Sequence, residues 1–203
     1  AASVTSEGRH AVDVLRGAGV DVRRLFGPEH GPRGRAEAGE EVASGVDAPT
    51  GLPFVSLYGE KNKPAPADLE GLDVLVADLQ DAGVRFYTYV STLLLCLEAA
   101  AEAGIEVCVL DRPNPLGGDL VEGPERDPGV PSSLVSTAPG PLVHGLTLGE
   151  MTLYANARRP DPAGVTGVPL AGWRRAMTWA VTGCPGVNPA PLTSVTVRGS
   201  LSG

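Results

Sequence analysis

Apolar and polar positions along the chain follow two rhythms, and their order outlines a fold. Between residues 90 and 103 the rhythm is helical. Val90, Leu93, Leu94, Leu97 and Ala101 share one face, Ser91 stands where a cap is expected, and Gly104 suits the left-handed position that closes a helix. The flanking segments LDVLVADLQD (72–81) and IEVCVLD (105–111) are near-continuous apolar runs, the pattern of strands covered on both faces of a parallel sheet. Strand, crossover helix and strand from 72 to 111 form the unit such a sheet repeats.

Upstream, Val12, Leu15 and Ala18 predict a helix within 9–18 that stops at Gly19 and leads into a strand-like VDVRRLF (20–26). GLPFVSLYG (51–59) reads as a short strand. Downstream, Thr147 with Glu150 three residues later forms a capping box opening a helix over 148–158, closed by Pro160. After Asp161 the pattern is mostly turns around one helix candidate, GWRRAMTWAV (172–181). The predicted fold is α/β: a Rossmann-like parallel sheet with flanking helices over residues 1–160, and only the start of a second, smaller domain or a tail over 161–203.

Composition narrows the function classes. With 203 residues, 42% of them apolar, the chain can bury a large core. Sixteen basic against 24 acidic residues, a net charge of −8, disfavour a backbone-driven grip on nucleic acid. No apolar run approaches the roughly 18 residues of a membrane span. The 27 glycines and 19 prolines gather between the apolar runs and imply long, shaped loops. Cys96, Cys108 and Cys184 make no CxxC pair, and the first two lie in apolar segments, as buried thiols do.

The candidate chemistry lies where strands run out into loops. LFGPEHG, VLVADLQDAGVRFYTY and VCVLDRPNPLGG share this design, and parallel sheets bind ligands beyond the carboxyl ends of their strands. Glu29, His30, Asp78, Gln80, Arg85, Tyr87, Tyr89, Asp111, Arg112 and Asn114 are therefore expected to converge on one cleft. Several have two readings. Glu29, next to Pro28 and Phe26, either accepts backbone hydrogen bonds in a turn or works as a general acid or base. His30 either donates to a ligand or braces the loop. Arg85 in RFYTY either pairs with a ligand carboxylate, with Tyr87 or Tyr89 against a sugar ring, or pairs with Asp81 while the tyrosines anchor the helix. Asp111 either accepts a ligand hydroxyl or clamps the turn that follows it. Glu150 is a capping residue, and the charged residues between Glu37 and Glu41 read as solvated surface. The histidines and acids have no HExxH spacing, so no metal is called for. Gly117-Gly118 and the glycines at 31 and 34 lack the GxGxxG order of a dinucleotide site, and neither a phosphate-binding loop nor a GxSxG elbow occurs, so no cofactor is expected.

Six segments in order, LFGPEHGPRG (25–34), TGLPFVSLYG (50–59), DVLVADLQDAGVRFYTYVST (73–92), VLDRPNPLGG (109–118), VEGP (121–124) and HGLTLGE (144–150), resemble the DUF1343 family, which includes the NamZ-type exo-β-N-acetylmuramidases. The resemblance implies a glycoside hydrolase with its cleft between a Rossmann-like domain and a smaller α/β domain. Its substrate would be a peptidoglycan fragment losing a terminal, non-reducing N-acetylmuramic acid. The family's PEHG glutamate and histidine fall on Glu29, the general-acid candidate, and His30, which joins it as a catalytic candidate. Arg85, Tyr87, Tyr89, Asp111 and Asn114 match its RFYTY and DRPNP residues and, with His144, become the substrate-binding candidates. Arg85 would meet the lactyl carboxylate of muramic acid, and Asp78 is the carboxylate assigned to the second catalytic role. Family members usually begin with a further strand and run well past residue 203, so the chain looks truncated beside them. A noncatalytic cell-wall sugar-binding module is thus the alternative expectation. The wall substrate favours a periplasmic or secreted location, with cytoplasmic recycling the other option.

Overall fold

The structure is a computed structural model and describes residues 5, 7–31 and 42–182. Cys184, the charged stretch from Glu37 to Glu41 and the chain after 182 lie outside the described residues. Those described fall into two compact units, one ending at Gly59 and one beginning at Glu60.

The first unit opens with α1 (Ala11–Gly17), which buries Val12. Three short strands follow: β1 (Leu25–Gly27), β2 (Gly45–Asp47) and β3 (Leu52–Ser56). β3 lies in the middle, parallel to β1 with Phe26 beside Val55, and antiparallel to β2. The strand predicted over 20–26 is confined to its last residues and Gly27. Phe54, Val55 and Leu57 supply buried apolar surface.

The second unit carries the βαβ unit expected from the hydrophobic pattern. β4 (Val74–Ala77) and β5 (Glu106–Leu110) are parallel neighbours joined by α3 (Thr88–Ala103). A short α2 (Pro66–Leu69) precedes β4 and packs on α3. After β5, an antiparallel pair, β6 (Glu122–Glu125) with β7 (Pro141–Val143), leads into α4 (Leu148–Asn156). The chain then adds β8 (Val165–Val168) parallel to β5, giving the order β4-β5-β8. β8 lies in the stretch read from the sequence as turns. Its VTGV is too short and glycine-interrupted to announce itself and is a strand through its pairing with β5. The helix candidate at 172–181 shrinks to a single 3-10 turn, Trp179–Val181.

The core of this unit lies between one face of the sheet and the two long helices. Leu75, Ala77, Val107 and Val109 are buried, and α3, which packs on β5, has Tyr89, Val90, Leu93 and Leu97 at most 1% exposed. α4 packs on α3 and β8. The expectation that β4 is covered on both faces fails: Val74 and Val76, on one face, are 43% and 41% exposed, while Leu75 and Ala77, on the other, are buried. α3 also begins one turn earlier than Ser91, with Tyr87 at its N-cap, because Tyr87 and Tyr89 insert into the core and draw the first turn with them. Its end is as expected, at Gly104 in the left-handed conformation with φ 69°. The structure is thus an α/β fold with a parallel core sheet, flanking helices and smaller secondary sheets. Among the described residues no helix is long and apolar enough to cross a membrane.

Candidate functional site

In the first unit, the segment that carries Glu29 is shaped by its neighbours. The carbonyl of Gly27, the last residue of β1, accepts from Leu57 N at 2.8 Å, which holds the strand end. The chain then turns within Pro28–Gly31: Gly31 N donates to Pro28 O at 2.8 Å, and Gly31 adopts φ 70°, where a side chain would be strained. This turn leaves Glu29 half-buried and turns His30 into the interior, 5% exposed.

In the second unit, the other candidates occupy the loops after β4 and β5 and the turn before α4. Asp78, just past β4, takes both its oxygens to one guanidinium: Arg112 Nε donates to Oδ1 at 2.5 Å and Nη2 to Oδ2 at 3.0 Å. A planar fork meeting a carboxylate is the strongest form of this pair, and it joins two adjacent strand ends. Gln80, 5% exposed, strengthens the joint by donating through Nε2 to Asp81 O and Pro113 O. Since both partners are carbonyls, only the amide NH2 can sit there, so Oε1 faces the other way and has no hydrogen-bond partner among the described residues.

Asp111 sits at the N-terminus of α4. Its Oδ1 accepts from Gly149 N at 2.8 Å and Arg112 N at 2.9 Å, and Oδ2 accepts from Thr147 Oγ1 at 2.7 Å. A carboxylate suits this place because the first helical N–H groups are unpaired and the dipole is positive there. The predicted capping box is present too, with Glu150 N donating to Thr147 Oγ1 and Thr147 N to Glu150 Oε2. Asn114 is fully buried; its Nδ2 donates to Leu146 O and its Oδ1 accepts from Leu116 N. His144, also buried, accepts from Leu146 N at Nδ1, so a neutral ring carries its proton on Nε2, which approaches Asp81 Oδ2 at 3.1 Å. That approach lies off the line of a good N–H···O bond and is best described as an electrostatic contact.

Arg85 leaves the β4 loop with its backbone N bonded to Leu142 O, beside the Val84–Val143 bridge. Its Nη1 is buried and has no hydrogen-bond partner among the described residues. Tyr87 and Tyr89 stack obliquely, ring centroids 4.8 Å apart, at 6% and 0% exposure. Both rings are therefore part of the core, while Phe86 between them is 42% exposed.

The second unit thus brings Asp78, Arg85, Asp111, Asn114 and His144 onto adjoining loops, with Tyr87 and Tyr89 beneath; Glu29 and His30 belong to the first unit. Sequence reasoning gave no particular role to Gln80 or Phe86. The alternation in RFYTY, with Tyr87 and Tyr89 on the same side, could have marked Phe86 as the ring that faces out. Among the described residues no three His, Cys, Asp or Glu side chains are grouped to hold a metal ion.

The parallel sheet with its flanking helices makes this an α/β protein, with polar residues concentrated on the loops after its strands. The chain belongs to the DUF1343/NamZ family: residues 1–196 match the family model described as exo-beta-N-acetylmuramidase NamZ, N-terminal. It is 44% identical over 191 residues to the peptidoglycan beta-N-acetylmuramidase NamZ of Bacillus subtilis (strain 168), covering 94% of this chain and 46% of that one. Two crystal structures of DUF1343 family proteins from Bacteroides fragilis NCTC 9343 share its fold. One matches with a TM-score of 0.85 and 39% identity over 94% of this chain and 48% of its own; the other with 0.72 and 36% over 85% and 45%. The chain spans about half the length of these relatives.

Proposed function

We propose that the chain is the acid-bearing part of a glycoside hydrolase that releases terminal non-reducing N-acetylmuramic acid from peptidoglycan fragments. The observation that carries the reading is the 44% identity, over nearly the whole chain, to a protein named as a peptidoglycan beta-N-acetylmuramidase. In this reading the sheets are parts of a Rossmann-like domain, and Glu29 is the general acid. Its carboxyl group donates a proton to the glycosidic oxygen as the bond to the anomeric carbon breaks, and water completes hydrolysis. The turn from Pro28 to Gly31 supports the assignment, because it fixes the Glu29 backbone directly after a strand. His30 is its neighbour in the acid-bearing turn. Asp78 is the companion carboxylate, oriented by the Arg112 fork.

Arg85 is assigned to the lactyl carboxylate of the sugar, since its buried Nη1 has no hydrogen-bond partner among the described residues. Tyr87 and Tyr89 support that arginine from the core. Asp111, Asn114 and His144 hold the loops that face the sugar. A wall-derived substrate favours a periplasmic or secreted location, with cytoplasmic recycling of wall fragments the other option.

The test is reporter release from a chromogenic β-N-acetylmuramide by the 203-residue protein and by Glu29→Gln. Turnover by the first and its loss in the second, with folding unchanged, is the expected result. Equal rates for both would remove Glu29 from the mechanism. Affinity for muramic acid fragments with no turnover by either would favour the noncatalytic binding module.

A further inference from the structure

The glycine pair Gly117-Gly118 belongs to no nucleotide-binding pattern, yet the structure gives it a definite partner 57 residues away, Arg175. Gly118 N donates to Arg175 O at 2.6 Å, and Trp179 N donates to Pro115 O at 3.0 Å, so residues 175–179 lie as a strap along the 115–118 loop. A Cβ on Gly118 would stand 2.8 Å from Arg175 Cγ and Nη1, and one on Gly117 would stand 3.0 Å from Arg175 O. The pair is glycine because the strap occupies the space a side chain would need.

The Arg175 side chain then reaches beyond the glycines. Nη1 donates to Gly145 O at 2.9 Å and lies 3.4 Å from Gly118 O, while Nη2 donates to Glu150 Oε1 at 2.6 Å. Glu150 is divided between two tasks, its other oxygen accepting from Thr147 N in the capping box. One guanidinium thus joins the loop after β5, the turn after His144 and the first turn of α4. Lysine has no planar fork to address two carbonyls and a carboxylate at once.

We infer that Arg175 is a positioning residue. It locks the Asp111–Gly118 and His144–Glu150 segments in the arrangement that the sugar-facing loops require. The sugar-binding part of this inference rests on the proposed function; the locking part does not. Arg175 is 47% exposed at its side chain, so its removal costs little global stability and acts mainly on the geometry of these loops.

The experiment uses the 203-residue protein with Arg175→Ala, Arg175→Lys, Gly118→Ala and the Arg175→Ala/Gly118→Ala double variant. Amide hydrogen exchange is read at Leu116, Leu146 and Gly149, whose N–H groups bond to Asn114, His144 and Asp111. KM and kcat are read with the chromogenic β-N-acetylmuramide. In Arg175→Ala these amides should exchange about tenfold faster, with KM raised about tenfold and kcat within about twofold. Arg175→Lys should fall between. Gly118→Ala should speed exchange at the same amides, and the double variant should fall short of the sum of the two, because both act on one contact, even though the Cβ that alanine keeps at 175 still stands 3.0 Å from the new one. Unchanged exchange in Arg175→Ala, or additive effects in the double variant, would overturn the lock. Faster exchange with unchanged KM would reduce Arg175 to a structural tie. If the wild-type protein neither binds nor cleaves the sugar, the glycosidase reading and the sugar-positioning role fall, and the exchange measurements still decide the lock.

Discussion

Asp111 offers the sharpest test of how the strand-end loops are held. Its carboxylate accepts from two backbone N–H groups and the Thr147 hydroxyl, at the N-terminus of α4. In Asp111→Ala, the buried Gly149 N–H loses its partner, at about 1–3 kcal/mol. The lost favourable charge at the helix N-terminus adds about 0.3–1 kcal/mol. A total near 3 kcal/mol is expected, and about half of that for Asp111→Asn, which keeps one acceptor oxygen for Gly149. Both tryptophans, Trp173 and Trp179, lie in the second unit, so their fluorescence during urea unfolding reports on it. With a slope of about 2 kcal/mol per M, the midpoint should fall by roughly 1.5 M in Asp111→Ala. Gly149→Ala is the control, since its Cβ would stand 2.8 Å from the Asp111 carboxyl carbon. It should destabilise alone and cost much less once Asp111 is already alanine. A midpoint for Asp111→Ala within about 0.3 M of wild type would refute the clamp and return the residue to a purely ligand-facing role.

Three further outcomes follow from the same geometry. Gly83→Ala should lose about 2 kcal/mol or more in urea unfolding, since Gly83 has φ 79° and its Cβ would stand 2.4 Å from Asn114 Oδ1; a wild-type midpoint would contradict this. Burial pushes the Cys96 thiol up to about 12, so at pH 8 only about one in 10,000 molecules carries its thiolate. Iodoacetamide followed by peptide mass mapping should find Cys96 modified only after unfolding, and equal labelling of the native protein would count against it. The hydrogen bond from Lys63 holds the Glu98 carboxyl below its usual range, with Arg159 adding to the effect. This contribution is therefore present above the unfolded value near 4.3 and lost as pH falls through the lower folded value. Glu98 is 38% exposed, which limits it to roughly 0.5 kcal/mol; Glu98→Gln should melt slightly earlier at pH 7, with the gap closing near pH 3. A gap that widens toward pH 3 would reverse the sign.

What the sequence made legible was what local chemistry determines. α3 was readable because Val90, Leu93, Leu94 and Leu97 repeat at helical spacing and all are buried. The α4 start was readable because both halves of a capping box lie within four residues. β8 was hidden because its hydrogen bonds go to β5, some 58 residues earlier, and four residues of VTGV hold no period of their own. The exposed outer face of β4 was hidden because valine is as suited to a covered face as to an open one. In the candidate site, residue types were legible but their partners were not. DRPNP and HGLTLGE are separate segments of the sequence; folded together, Asp111 bonds chiefly, and Asn114 through its Nδ2, to the other segment.

Hydrogen-bond accounting therefore separates groups that the sequence could only place together. Asn114 uses both ends of its amide to hold Leu116 and Leu146, Asp111 uses both oxygens on Arg112, Thr147 and Gly149, and Asp78 turns both oxygens to Arg112. In the proposed reading Asn114 and Asp111 serve recognition through the shape and rigidity of the loops, and the Arg112 fork orients Asp78 for its catalytic part. Gln80 and Arg85 differ: Gln80 Oε1 is an acceptor and Arg85 Nη1 a donor, both buried and both without a hydrogen-bond partner among the described residues. Leaving such groups unsatisfied costs about 1–3 kcal/mol each, a cost that folding alone gives no reason to retain. Both lie on the one loop after β4, within six residues of each other in the chain. Direct contact with a polar ligand is therefore expected there first, with the braced residues around it setting where that loop stands.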